Sequence, residues 1–186
     1  MPKKLPVKYR VVKYPDPILS KQAEEVLQVT AETRRLIMDM LSIMYADKGV
    51  GLAAPQIGIS KRIFVANPTG EKGDAEYVFI NPVLSNFQGE VSGPEGCLSL
   101  PGISAEVPRA ESITVEAVDA DGKNIHMEAH DFLARVIQHE NDHLEGKLFI
   151  DRIPFLERQK LLAEYQSNSG VAIEAPSNER RFFRFL

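Results

Sequence analysis

Gln138-His139-Glu140-Asn141-Asp142-His143 is the stretch on which the reading of this 186-residue chain turns. On a helix, residues four apart lie on one face about one turn from each other, so His139 and His143 can reach a single ion together. Glu140 projects near the same rim, where a carboxylate can accept a proton from metal-bound water and later deliver it to a leaving group. The chemistry suggested is metal-assisted hydrolysis; the competing reading is a pair of surface helical histidines with a flanking acid. A third ligand elsewhere in the chain decides between them.

The pattern around this stretch predicts a helix that starts near Asp131, buries Phe132, Val136 and Ile137, and ends at Gly146. Positions 132, 136, 139, 140 and 143 share a broad face, so Phe132 and Val136 are expected to wall a pocket beside the ion. Arg135 is expected near the pocket rim and Asn141 on the opposite, solvent-facing side. Asp142 reads as an acid that supports the ligands rather than as a ligand. His126 and His130 match no motif and read as ordinary polar residues.

Further out, Pro154 can open another helix running to about Gln166, where Ser167-Asn168-Ser169-Gly170 breaks the pattern. The final residues, Arg180-Arg181-Phe182-Phe183-Arg184-Phe185-Leu186, mix basic and aromatic side chains. They are read as a tail packing on its own domain or fraying, in preference to a nucleic-acid site. Upstream, apolar or alternating runs at 62–66, 77–80, 83–87, 113–118 and 124–127 predict strands, with Asp121-Gly122 as a hairpin turn. A helix capped by Thr30 carries Leu36, Ile37, Met40, Leu41 and Met44 at helical spacing until Gly49, a stripe suited to core packing. Residues 7–30 read as an arm in which Tyr14-Pro15-Asp16-Pro17 excludes a helix.

The chain as a whole bounds the function. Its length suits one catalytic domain over residues 1–186, with 168–186 as a C-terminal tail, mobile or docked. With 44% hydrophobic and 26% charged residues the composition is globular, and a formal charge of -4 gives no electrostatic case for a nucleic-acid partner. A lone cysteine, Cys97, rules out an intrachain disulfide and suits a reducing compartment. No apolar run approaches the roughly twenty residues of a membrane span, and the basic start Met1-Pro2-Lys3-Lys4 lacks a signal core. A soluble, cytoplasmic protein is expected.

The third ligand separates the classes that share His-Glu-x-x-His. The extended metzincin pattern needs a histidine where this chain has Phe149, and the downstream glutamates Glu157, Glu164, Glu174 and Glu179 sit in no recognisable motif. Cys97 lies in Gly93-Pro94-Glu95-Gly96-Cys97-Leu98-Ser99-Leu100-Pro101-Gly102, a segment too rich in Gly and Pro to read as an ordinary strand. Its thiolate would complete a Cys-His-His set with the fourth position open for water. A lone cysteine is otherwise most often a small buried hydrophobe.

Three ordered motifs resemble those of the peptide deformylase family: Gly49-Val50-Gly51-Leu52-Ala53-Ala54-Pro55-Gln56, then Glu95-Gly96-Cys97-Leu98-Ser99, then His139-Glu140-x-x-His143 with Asp142 before the second histidine. The similarity extends from about Leu5 to about Asp151 and carries the fold with it. The fold implied is α+β, with antiparallel sheets around a central metal-binding helix, an N-terminal helix and a C-terminal helix. The resemblance implies that Cys97, His139 and His143 bind one divalent ion, Fe(II) in the cell, with Zn, Ni or Co able to replace it in purified protein. Glu140 would be general base and then acid, while Gln56 and the Leu98 amide would stabilise the oxyanion.

Val50, Gly51, Glu95, Gly96, Phe132 and Val136 would bind the substrate, with Gly49 and Gly51 permitting close approach of an extended peptide. The reaction implied is hydrolysis of the formyl group from the N-terminal formylmethionine of nascent polypeptides, releasing formate. A bacterial cytosolic enzyme with transient ribosome contact, and with neither membrane nor specific nucleic-acid partner, completes the expectation.

Overall fold

The structure is a computed structural model and describes residues 9–170. The tail at 171–186 and the basic start at 1–8 lie outside the described residues, as do the readings made of them. Thr30 caps the first helix, accepting from the Thr33 amide, and α1 runs Ala31–Ala46 with Ile37, Met40, Leu41, Ile43 and Met44 buried. Lys48, not Gly49, makes the left-handed closure at φ 56. The Gly49 amide then reaches back to the Met44 carbonyl at 2.8 Å, a Schellman closure with lysine where glycine is usual. Gly49 is small for another reason: a β-carbon there would lie 3.2 Å from Leu98 Cδ1.

The strands are β1 (Gly51–Ala53), β2 (Ile63–Ala66), β3 (Tyr77–Gln88), β4 (Val91–Cys97), β5 (Leu100–Arg109), β6 (Ser112–Val118) and β7 (Asn124–His130). A five-stranded antiparallel sheet has the order β1-β2-β3-β6-β7, and β4 and β5 form a separate two-stranded sheet. Two runs expected as separate strands join in β3, because Asn81 takes φ 51 and a register shift between Ile80 and Val83 absorbs Pro82. The Gly- and Pro-rich segment before Cys97 is also a strand, contrary to the sequence reading. A two-stranded sheet leaves an outer edge on which Pro94 needs no donor. Gly93 fits there because Arg135 covers it: a β-carbon would sit 3.2 Å from the guanidinium.

Helix α2 (Asp131–Leu144) packs on the five-stranded sheet, and its Arg135, His139 and His143 side chains reach the β4–β5 hairpin. Alternation along β2 explains the layering: Phe64 and Ala66 pack with Val136 and Ile137 of α2, while Ile63 and Val65 pack with α1. A third core joins Ile103, Ala105 and Val107 of β5 to Phe149, Ile150 and Tyr165. Tyr165 belongs to α3 (Phe155–Ser169), which continues past the predicted stop. Ser169 Oγ bonds the Tyr165 carbonyl at 2.6 Å, and Gly170 at φ 67 closes the helix. In the arm, Pro17–Ser20 forms a short 3-10 turn where no helix was expected. Asp16 caps it and Pro17 starts it, a position that needs no amide donor. Among the described residues, no helix is long and apolar enough to cross a membrane.

Candidate active site

Cys97 pairs with Leu100 across the end of the β4–β5 hairpin, so Leu98 and Ser99 form its tip. This tip meets the middle of α2. Cys97 Sγ lies 3.4 Å from His143 Nε2, and the donor atoms of Cys97, His139 and His143 all lie within 4.8 Å of one another. Burial works against the thiolate, but the charges and hydrogen bonds of His143 and His139 outweigh it and hold the thiol well below its usual range. Burial likewise opposes protonation of His139, yet Cys97 and Glu95 hold it well above the usual imidazole range. Electrostatics that retain a proton among these donors also favour a divalent cation, and one thiolate with two imidazoles suits a borderline-soft metal. The residues present therefore fit a single metal ion.

Glu95 fixes one of these donors. Its Oε2 lies 2.9 Å from His139 Nδ1, which turns Nε2 of that ring toward Cys97 and His143. The same carboxylate accepts two hydrogen bonds from Arg109, each at 2.9 Å, and one from Arg135 at 2.8 Å. Burial opposes its ionisation, but Arg109 and His139 bring its pKa down to about 2. Glu95, expected on the substrate wall, borders the pocket but has its oxygens turned to these protein partners. Asp142 behaves as the supporting acid it was read to be. It is buried, accepts from Arg109 at 2.6 Å and is paired with Arg152.

Glu140 stands beside these donors, 4% exposed, and burial raises its pKa to about 7 against the pull of His139 and His143. Its Oε2 has no hydrogen-bond partner among the described residues. Gly51 makes room for it: a β-carbon at 51 would lie 2.3 Å from Glu140 Oε1. Gln56 follows β1 in a 3-10 turn, where the Ala53 amide donates to its Oε1 at 2.8 Å. That bond aims Nε2 at Cys97 Sγ, 3.4 Å away.

A cavity of about 390 Å³ opens onto this cluster, and Val50, Gly51, Gln56, Glu95, Gly96, Cys97, Leu98, Phe132, Val136, His139 and Glu140 all border it. His143 lies behind, 1% exposed. Phe132 is half exposed at the mouth and Val136 buried. Arg135 borders the cavity, as expected, but is 8% exposed because it spans α2 and the hairpin, donating to the Val91 and Val107 carbonyls at 2.6 and 2.9 Å. One expectation fails on the helix itself. Asn141 is half buried rather than solvent-facing, with its Oδ1 out of contact with solvent. His126 and His130 are exposed beside Glu116 and Glu128 and take no part. Arg109 and Arg152 carry no motif. The one signal for them is chemical: two buried carboxylates on the ligand shell require cations nearby.

A family described as polypeptide deformylase matches residues 8–159. A peptide deformylase of Acidobacterium capsulatum is 48% identical over 153 residues, 82% of this chain and 90% of that one. Among solved structures, a peptide deformylase from Legionella pneumophila is 38% identical with a TM-score of 0.83, covering 90% of this chain and 99% of its own. The enzyme of that name from Thermus thermophilus is 46% identical with a TM-score of 0.79, covering 86% and 93%.

Proposed function

The chain belongs to the polypeptide deformylase family, whose activity is removal of the N-formyl group from nascent polypeptides, and we propose that Cys97, His139 and His143 hold one metal ion while Glu140 moves the proton in this hydrolysis. The observation that carries the reading is the convergence of those three donors within 4.8 Å, flanked by the unpartnered Oε2 of Glu140. When bound, the cation held by Cys97, His139 and His143 would supply Lewis-acid chemistry.

Glu140 takes one proton from the attacking water as its oxygen adds to the formyl carbon. The carbonyl oxygen gains negative charge, for which Gln56 Nε2 and the Leu98 amide serve as donors in this reading, each contributing up to about 3 kcal/mol. The carbon–nitrogen bond then breaks, Glu140 returns the proton to the departing methionine amine, and formate leaves. A pKa near 7 suits a group that must accept and donate in one cycle.

Val50, Phe132 and Val136 offer an apolar wall for the unbranched methionine side chain, and Gly51 and Gly96 admit the substrate backbone beside it. Glu95 acts on substrate through His139. Fe(II) is the native cation in this reading, with Zn, Ni or Co as replacements, and the soft donor set supports all four. Formylated N-termini arise on chains leaving the ribosome, so the reaction belongs in the cytoplasm with transient ribosome contact.

The test is formate release from a formyl-Met-peptide by protein prepared anaerobically with Fe(II) or Ni(II). Turnover of the formylated peptide with no cleavage of its unformylated counterpart supports the reading. Folded, metallated protein that releases no formate overturns it, and cleavage of internal peptide bonds indicates a metallopeptidase.

A further inference from the structure

The two donors assigned to the oxyanion belong to separate parts of the fold. Gln56 follows β1, a strand of the five-stranded sheet, whereas Leu98 is at the tip of the β4–β5 hairpin. Among the described residues, no strand ladder joins the two. The Gln56 amide reaches Cys97 Sγ at 3.4 Å and Ser99 Oγ at 3.5 Å, a bond to sulfur and a long one to a hydroxyl, neither of which holds the Leu98 peptide.

The N-terminal arm spans the gap with three shorter bonds. The Val12 amide donates to the Gln56 carbonyl at 2.8 Å, and the Tyr14 amide donates to the Ser99 carbonyl at 2.9 Å. Between them Lys13 Nζ donates to the Leu98 carbonyl at 2.7 Å. The arm is itself anchored: the Tyr165 hydroxyl donates to the Tyr14 carbonyl at 2.9 Å, and Leu19 is 1% exposed in the core.

We infer that residues 12–14 form a brace that sets the spacing of the two oxyanion donors, with Lys13 as a positioning residue acting through Leu98. The inference rests on the roles proposed above for Gln56 and Leu98. Holding the Leu98 and Ser99 carbonyls fixes the two peptide planes that follow the Leu98 Cα and so places that Cα; the Leu98 N–H lies in the plane before it and is positioned from there through the Leu98 backbone dihedrals. A charge-assisted bond to a carbonyl is stronger than a neutral one, and at Leu98 it adds to the contacts made by Ser99 with Tyr14, Gln56 and Cys97. Lys13 is exposed, so its replacement removes the grip without opening the core.

The experiment compares wild type, Lys13→Met and Lys13→Arg as metallated protein on a formyl-Met-peptide. Lys13→Met is expected to lower kcat about three- to tenfold with KM within about twofold, and Lys13→Arg to recover most of the loss. Metal content and thermal midpoint stay at wild-type values. In the Zn-loaded protein, amide exchange at Tyr14 and Ser99 accelerates in Lys13→Met and returns in Lys13→Arg. Unchanged kcat in Lys13→Met, a loss confined to KM, a fall in thermal midpoint that accounts for the loss, or no recovery in Lys13→Arg overturns the brace. Wild type without deformylase activity instead sinks the functional reading, and the exchange rates still report on the brace.

Discussion

Gly51 and Glu140 are matched: a β-carbon at position 51 would lie 2.3 Å from the Oε1 atom and 2.8 Å from the carboxyl carbon of Glu140. The glycine's missing side chain is the space the carboxylate occupies, so under the proposed mechanism it belongs to the acid–base apparatus.

Gly51→Ala should accordingly damage catalysis more than folding. The atom that must yield is the end of a side chain, so the backbone tolerates the change while Glu140 turns away from its working position. Turnover is expected to fall by about a hundredfold or more, since displacement by roughly 1 Å is that costly, with metal content retained. Steady-state kinetics beside metal analysis check this; wild-type turnover in Gly51→Ala would mean that Glu140 does not work from where it stands.

Burial sets the pH dependence of Glu140. The base must be ionised, and its pKa is raised by burial to about 7. The value of kcat/KM should fall as pH drops, along a limb centred no higher than about 7, because a cation at the neighbouring ligands only moves that limb down. The sign for stability is opposite to that for activity. A carboxyl raised above its ordinary 4.5 favours the folded protein below that value, and the contribution is lost as pH rises through about 7. Metal-free Glu140→Gln should therefore resist urea better than wild type at pH 8, and equal or lower resistance would contradict the burial argument.

Glu95→Gln tests the opposite case. Arg109 and Arg135 would lose a buried counter-charge and His139 its orienting carboxylate. The expected loss is about 3–5 kcal/mol of stability and about ten- to a hundredfold in metal affinity. Because Glu95 is held near 2 against an ordinary 4.5, its contribution is present above 4.5 and is lost as pH falls toward about 2. Urea unfolding of metal-free protein should show the two variants converging in acid; a constant gap from pH 7 to pH 2 would rule out this linkage.

The sequence carried the ligands more clearly than the frame that holds them. His139, Glu140 and His143 announce themselves because one helix supplies their spacing, and Cys97 and Gln56 because short motifs surround them. Local propensity failed where tertiary structure overrides it. Pro94 and Gly93 argued against a strand, yet an outer edge excuses the proline and Arg135 fills the space above the glycine. Asn141 read as solvent-facing because periodicity describes one helix and not what packs around it. The contacts of Lys13 with Leu98 and of Arg109 with Asp142, 85 and 33 residues apart, have no local pattern at all.

Glu140→Gln is the sharpest probe of the proposed mechanism, with formate release and bound metal measured on the same preparation. The substitution keeps the size of the side chain and leaves Cys97, His139 and His143 untouched. Full metal occupancy is expected with turnover reduced at least about a thousandfold, since the proton carrier is gone while the ligands remain. Substantial formate release from fully metallated Glu140→Gln would show that another group moves the proton.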